Sequence, residues 1–131
     1  MRKKWLVWLL VFWALGILFP MAWFSGRSPL VNQWFERLFS PPWMHIVMHA
    51  GLYAVLAALG VLLARQFGRP LCLSLLSVAL VGLLQEVIQT TLAGRVVGSG
   101  EWFDLGIDLT GGLLGFLAAL AVENWRKKRA N

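Results

Sequence analysis

The residues able to do chemistry sit where the surrounding sequence is almost wholly apolar. His45, His49 and Tyr53 recur every four residues in one apolar run. Gln85, Glu86 and Gln89 lie in a second run, Asp104 and Asp108 open a third, and Arg95 stands in the segment joining the last two. Such a set has the parts of an acid–base site with an anion clamp. A carboxyl group in an apolar setting can hold or take a proton. An imidazole passes a proton on near neutral pH, and a guanidinium grips phosphate or carboxylate through paired N–H donors. The candidate catalytic residues are therefore Glu86 as acid or base, His49 as second proton carrier, and Asp108, which with Asp104 would orient Arg95 or His49 or hold a divalent cation. The candidate substrate-binding residues are Arg95, Gln89, Tyr53 and Asp104. Neither Ser99 nor Thr90 is marked out as a nucleophile, so water would serve.

The elements holding these groups follow from composition. Of 131 residues, 59% are apolar and only 14% charged, against roughly half and a quarter in a soluble domain. Four apolar runs are readable, at 5–24, 43–64, 71–92 and 104–125, each about the 20 residues a helix needs to cross a bilayer. Long continuous runs favour helices over a barrel. The expected fold is an all-α polytopic membrane four-helix bundle, a single domain over 1–131. Local signals bound the runs: Ser40-Pro41-Pro42 as a cap and first turn, Gly68-Arg69-Pro70 as a break, and Gly94 as a stop. Gly98-Ser99-Gly100 reads as a flexible turn before the last run, and Pro20 kinks or ends the first. No Ala-x-Ala site follows the first run, which therefore reads as a retained anchor rather than a cleaved leader.

Charge gives the expected direction. Arg2, Lys3, Lys4, Arg65, Arg69, Arg126, Lys127, Lys128 and Arg129 make nine basic residues on one side, against Arg27, Arg37 and Arg95 on the other. The excess puts both termini in the cytoplasm of a multi-pass protein of a bacterial cytoplasmic membrane. Trp23, Trp43 and Trp102 then fall at the outer interface and Trp5 and Trp125 at the inner one. Between the first two runs, Leu30, Val31, Trp34, Phe35, Leu38 and Phe39 alternate with Asn32, Gln33, Glu36 and Arg37 at the spacing of a short amphipathic helix in the first outer loop. It reads first as a packed cap over the bundle, and second as a lid or lipid contact.

At about 1.5 Å per residue, His49 and Glu86 lie about 9 Å deep from the outer side and Asp108 about 6 Å. Three runs of alternating direction thus bring ionisable groups to one level, which implies a shared pocket open to the outer side. Asp104, Asp108, Gly111, Gly112 and Gly115 share a face by three- and four-residue steps, and Gly111-x-x-x-Gly115 is a close-packing pair. Glu86 and Asp108 would each cost about 2.5–3.5 kcal/mol in hydrocarbon unless paired or wetted. Arg95 and His49 are the expected partners. Competing with the functional reading, Arg95 simply bridges Asp104 or Asp108, His49 makes an ordinary interhelical hydrogen bond, Tyr53 fills space while bonding through its hydroxyl, and His45 sits near the headgroups.

Other classes are weak. A net charge of +6, with the basic residues mostly at the chain ends, lacks the basic face with interleaved aromatics of a nucleic-acid reader. Cys72 is the single cysteine, so no disulfide within the chain or cysteine metal site is expected. No motif calls for a cofactor. A metal held by His49, Glu86 and Asp108 is conceivable, yet no spacing supports it and no metal is expected.

The ordered set His49-x-x-x-Tyr53, Glu86-x-x-Gln89, Arg95 and Asp104-x-x-x-Asp108-x-x-Gly111 resembles the VanZ-like family of small bacterial membrane proteins over about residues 40 to 120. The sequence departs from that pattern twice: His45-Ile46 stands where an acidic–basic pair is common, and Asp108 where Asn is common. The resemblance implies a cell-envelope connection and, for some members, lowered sensitivity to glycopeptide antibiotics of the teicoplanin type. Three readings stay open. The first is an enzyme acting on an anionic or lipid-linked envelope substrate. The second is a non-catalytic binder of an envelope lipid or antibiotic, or a membrane scaffold. The third is a proton or ion pathway. Partners beyond the bilayer and that substrate, and the oligomeric state, are not specified by the sequence.

Overall fold

The computed structural model describes residues 2–20, 24, 27–39 and 41–130. Among these the chain is helical, with no strands: α1 Arg2–Leu18, α2 Pro29–Phe39, α3 Pro42–Gln66, α4 Cys72–Leu92 and α5 Ser99–Ala130. Three of them, α3, α4 and α5, are long and apolar enough to cross a membrane. The first run forms a shorter helix. α1 has 17 residues, about 26 Å of rise, and stops two residues before Pro20, whose ring disfavours helical backbone in the residue before it. Trp23 of the outer aromatic belt and Ser40 of the expected cap lie outside the described residues. Pro41 occupies the cap position of α3 and Pro42 its first turn, with no side-chain cap bond.

Positive φ marks two helix ends. Gly68 (φ 61°) follows α3, and Arg69 N–H reaches back to Ala64 O at 2.7 Å. Gly94 (φ 63°) follows α4, and Arg95 N–H donates to Thr90 O at 2.9 Å. A residue with a Cβ would be strained at either place.

The last helix begins five residues before the apolar run was expected to start, and the Gly98-Ser99-Gly100 segment is its entry rather than a flexible turn. The reason is Glu101. Its Oε2 accepts the Gly98 N–H at 2.8 Å, the reciprocal half of a capping box, so the glycine-rich start is held in helical form.

α3 is central. Among the described residues, α1 packs on α3 and α4, and α5 packs on α3 and α4 but not on α1. Trp13 Nε1–H donates to Leu52 O at 2.9 Å, and Ile17 joins Tyr53, Leu56, Ala57 and Val78 in the core. α3 and α4 approach closely where Gly60 faces Ser74, whose hydroxyl donates to Ala57 O at 2.7 Å. α3 and α5 run parallel in a fixed register. His45 pairs with Asp104 and His49 with Asp108, both 59 residues apart, and Arg65 pairs with Glu123, 58 apart, near the far end. Gly111 and Gly115 lie against the backbone of Ala50 and Ala54, leaving no room for a Cβ.

Polarity is inverted relative to a soluble bundle. Ser74, Gln85, Glu86, Thr90 and Asp108 are buried, while Leu80, Leu83, Leu114 and Leu117 are exposed. Apolar outer faces of this kind fit a lipid bilayer. The amphipathic helix is present as α2, but it does not cap the bundle. It touches only α3 among the described helices, and Leu30 and Trp34 are 67% and 59% exposed.

Candidate functional site

The fixed register of α3 against α5 brings two histidine–carboxylate pairs together one helical turn apart. His45 Nε2 stands 3.0 Å from Asp104 Oδ1, and His49 Nδ1 stands 2.8 Å from Asp108 Oδ1. The two imidazoles are also in contact, with ring centroids 4.3 Å apart. With Asp108 ionised, the inner pair requires the Nδ1–H tautomer of His49 and leaves Nε2 as an acceptor.

α4 supplies the third wall. Glu86 faces the same pair: one ligating atom each from His49, Glu86 and Asp108 lie within 4.8 Å of one another. Gly82, one turn away, makes room for them. A Cβ at that position would come within 3.3 Å of Asp108 Oδ2. On the inward side, the Tyr53 hydroxyl donates to Gln85 Oε1 at 2.6 Å. Thr90 Oγ1–H donates to the Glu86 carbonyl at 2.7 Å.

Burial deepens along the cluster. The His45 side chain is 43% exposed, and that of Asp108 is fully buried. Glu86 is 4% exposed. Among the described residues, one oxygen of each acid, Glu86 Oε1 and Asp108 Oδ2, has no hydrogen-bond partner. The polar groups thus meet as expected, with Glu86 and Asp108 buried and His45 half-exposed. Two grooves, of about 390 and 450 Å³, lie elsewhere. The first is lined by Leu10, Gly60, Leu63 and Ser74, the second by Ala54, Ala58, Ala118 and Arg126, and neither includes His49, Glu86 or Asp108.

Of the expected site residues, His49, Tyr53, Glu86, Asp104 and Asp108 belong to this cluster. Gln89 is half-buried and its side chain makes no hydrogen bond among the described residues. Arg95 is corrected. It pairs with neither Asp104 nor Asp108 but with Glu101, Nη1 to Oε1 at 3.4 Å, and its side chain is 64% exposed. The early start of α5 causes this, because it puts Glu101 in the first turn, nearer the incoming chain than Asp104. His45 is also more than a headgroup neighbour, since it holds Asp104. The signal for it was in the sequence: His45/His49 and Asp104/Asp108 share one four-residue spacing, as two parallel helices require for two successive pairs. Gln85, the partner of Tyr53, was the residue that spacing did not single out.

No protein-family model, no curated protein and no solved structure matches this chain.

Proposed function

We propose that the chain is a VanZ-like, multi-pass protein of a bacterial cytoplasmic membrane. In this reading it is a four-helix bundle with α1 as the fourth member and both termini cytoplasmic, and it acts on the polar headgroup of a cell-envelope lipid or lipid-linked substrate. The observation that carries the reading is the burial of Glu86 and Asp108, each with an unsatisfied oxygen, among helices whose outer faces are apolar. At about 2.5–3.5 kcal/mol for each acid in hydrocarbon, packing alone gives no reason to keep them. The nine-to-three asymmetry of basic residues supports the direction, which places the His45–Asp104 end outward.

In this reading the headgroup approaches past the half-exposed His45. Asp108 holds the His49 ring, as a carboxylate orients a catalytic imidazole. His49 takes the proton of an attacking water at Nε2, and Glu86 in its protonated form gives its proton to the leaving oxygen. Arg95, exposed at the same end, meets the anionic part of the substrate. A link to teicoplanin-type resistance would follow from altered envelope lipids.

A second reading, a non-catalytic lipid binder, is favoured by the exposed apolar residues of α2 together with Arg95. One experiment separates the two. Cells lacking the protein are complemented with wild type, Glu86→Gln or Arg95→Ala at equal membrane levels, and envelope lipids and glycopeptide sensitivity are measured. Loss of effect with Glu86→Gln supports chemistry at the cluster. Full effect with Glu86→Gln and loss with Arg95→Ala supports binding.

A further inference from the structure

The cluster carries more negative charge than its hydrogen bonds answer. Asp104 and Asp108 each have one histidine partner through Oδ1, yet Asp108 Oδ2 and Glu86 Oε1 are buried with no hydrogen-bond partner among the described residues. A buried carboxylate oxygen left unmatched is expensive, and such atoms in native proteins call for an occupant. Arg95, the cation the sequence offers, is engaged by Glu101.

We infer that His49, Glu86 and Asp108 form a binding site for a divalent transition-metal ion. Their ligating atoms come from three helices and lie within 4.8 Å of one another. Ligands bound at about 2.0–2.2 Å on a tetrahedral ion stand about 3.4 Å apart, so the three need draw in by at most about 1.4 Å. Rotation of the Glu86 side chain and of the Asp108 carboxylate provides that movement, and Gly82 leaves the space for it. The donor set decides the class of ion. One imidazole with two carboxylates suits zinc, manganese or ferrous iron, whereas calcium and magnesium prefer oxygen alone. Three protein ligands leave a position open for water or a substrate oxygen. Asp104 and His45, one turn further out, form a second group that shares His49. They are placed to orient it rather than to hold the ion.

The inference rests on the cluster of the proposed function and changes the parts that Glu86 and His49 play there, from proton carriers to ligands, and its test needs no turnover. Full-length protein in detergent micelles is stripped with chelator, dialysed against zinc or manganese chloride, and its bound metal counted by mass spectrometry. The wild type should retain about one ion per chain, melt at a higher temperature with zinc than without, and show nitrogen and oxygen ligands by X-ray absorption. Glu86→Gln and Asp108→Asn should each weaken binding at least tenfold, and Arg95→Ala should leave it unchanged. A folded wild type that retains no ion and shows no zinc-dependent melting shift overturns the site. So does undiminished affinity in Glu86→Gln, or a dependence on His45 and Asp104 without Glu86. A wild type without metal whose effect on envelope lipids is still lost in Glu86→Gln removes the metal and keeps the proposed chemistry.

Discussion

Replacing Gly111 by alanine should loosen the polar cluster from below. The new Cβ would stand 2.5 Å from Ala50 Cα, whereas ordinary carbon contacts need about 3.5–4.0 Å. Backbone cannot turn aside as a side chain can, so α3 and α5 must part by about 1 Å at this level. Asp108 lies three residues before Gly111. The same movement stretches its 2.8 Å bond to His49 to about 3.8 Å, beyond hydrogen-bond range. Overpacking contributes about 1–3 kcal/mol of destabilisation. The lost interhelical bond adds about 0.6 kcal/mol on the average measured in membranes. Alanine returns up to about 1 kcal/mol through its higher helix propensity. The net expectation is a loss of about 1–3 kcal/mol, together with impaired binding or activity at the cluster. Gly51→Ala is the control on the partner helix. Its Cβ would meet nothing within 4 Å, so propensity alone should leave it neutral or up to about 1 kcal/mol more stable. Unfolding in mixed micelles, followed by tryptophan fluorescence, measures both. If Gly111→Ala proves as stable as Gly51→Ala, the close parallel packing of α3 on α5 is wrong, and the register that aligns the histidine–aspartate pairs falls with it.

Three further outcomes follow from single contacts. Tyr53→Phe leaves Gln85 Oε1 buried without its donor and should destabilise by about 1–2 kcal/mol, with much of the loss recovered in the Tyr53→Phe, Gln85→Leu double variant; the same micellar unfolding reads it. Gly82→Ala crowds Asp108 Oδ2 and should impair function at the cluster far more than it lowers stability, seen by comparing the lipid profile of complemented cells with the unfolding midpoint. Glu101→Ala removes both the acceptor for the Gly98 N–H and the partner of Arg95; hydrogen exchange at residues 98–103 should quicken while α3 amides stay protected.

What the sequence disclosed, and what it did not, divides along physical lines. Long apolar runs are a direct consequence of the solvent a helix meets, so α3, α4 and α5 were readable to within a few residues at most ends. The four-residue spacing of His45/His49 and of Asp104/Asp108 survives folding because the two helices run parallel in one register, which is why the cluster could be anticipated. Features that depend on one side chain returning to its own backbone were harder to see. Glu101 reaching back to Gly98 moved the start of α5, and with it the partner of Arg95. Tertiary closure was also hidden. No periodicity tells whether polar groups at one depth surround water or pack against each other, and here the glycines at 82, 111 and 115 let the helices close over Asp108. The exposed face of α2 was ambiguous for the opposite reason, since an amphipathic pattern specifies an apolar face but not what covers it.

The account depends on ionisable groups of different helices acting as one unit, and a double-mutant cycle measures that directly. Glu86→Gln on α4 and Asp108→Asn on α5 would be made singly and together, and their unfolding free energies compared. Groups within 4.8 Å in a buried site should be non-additive by at least about 0.5 kcal/mol. Additivity within about 0.3 kcal/mol would contradict the shared site.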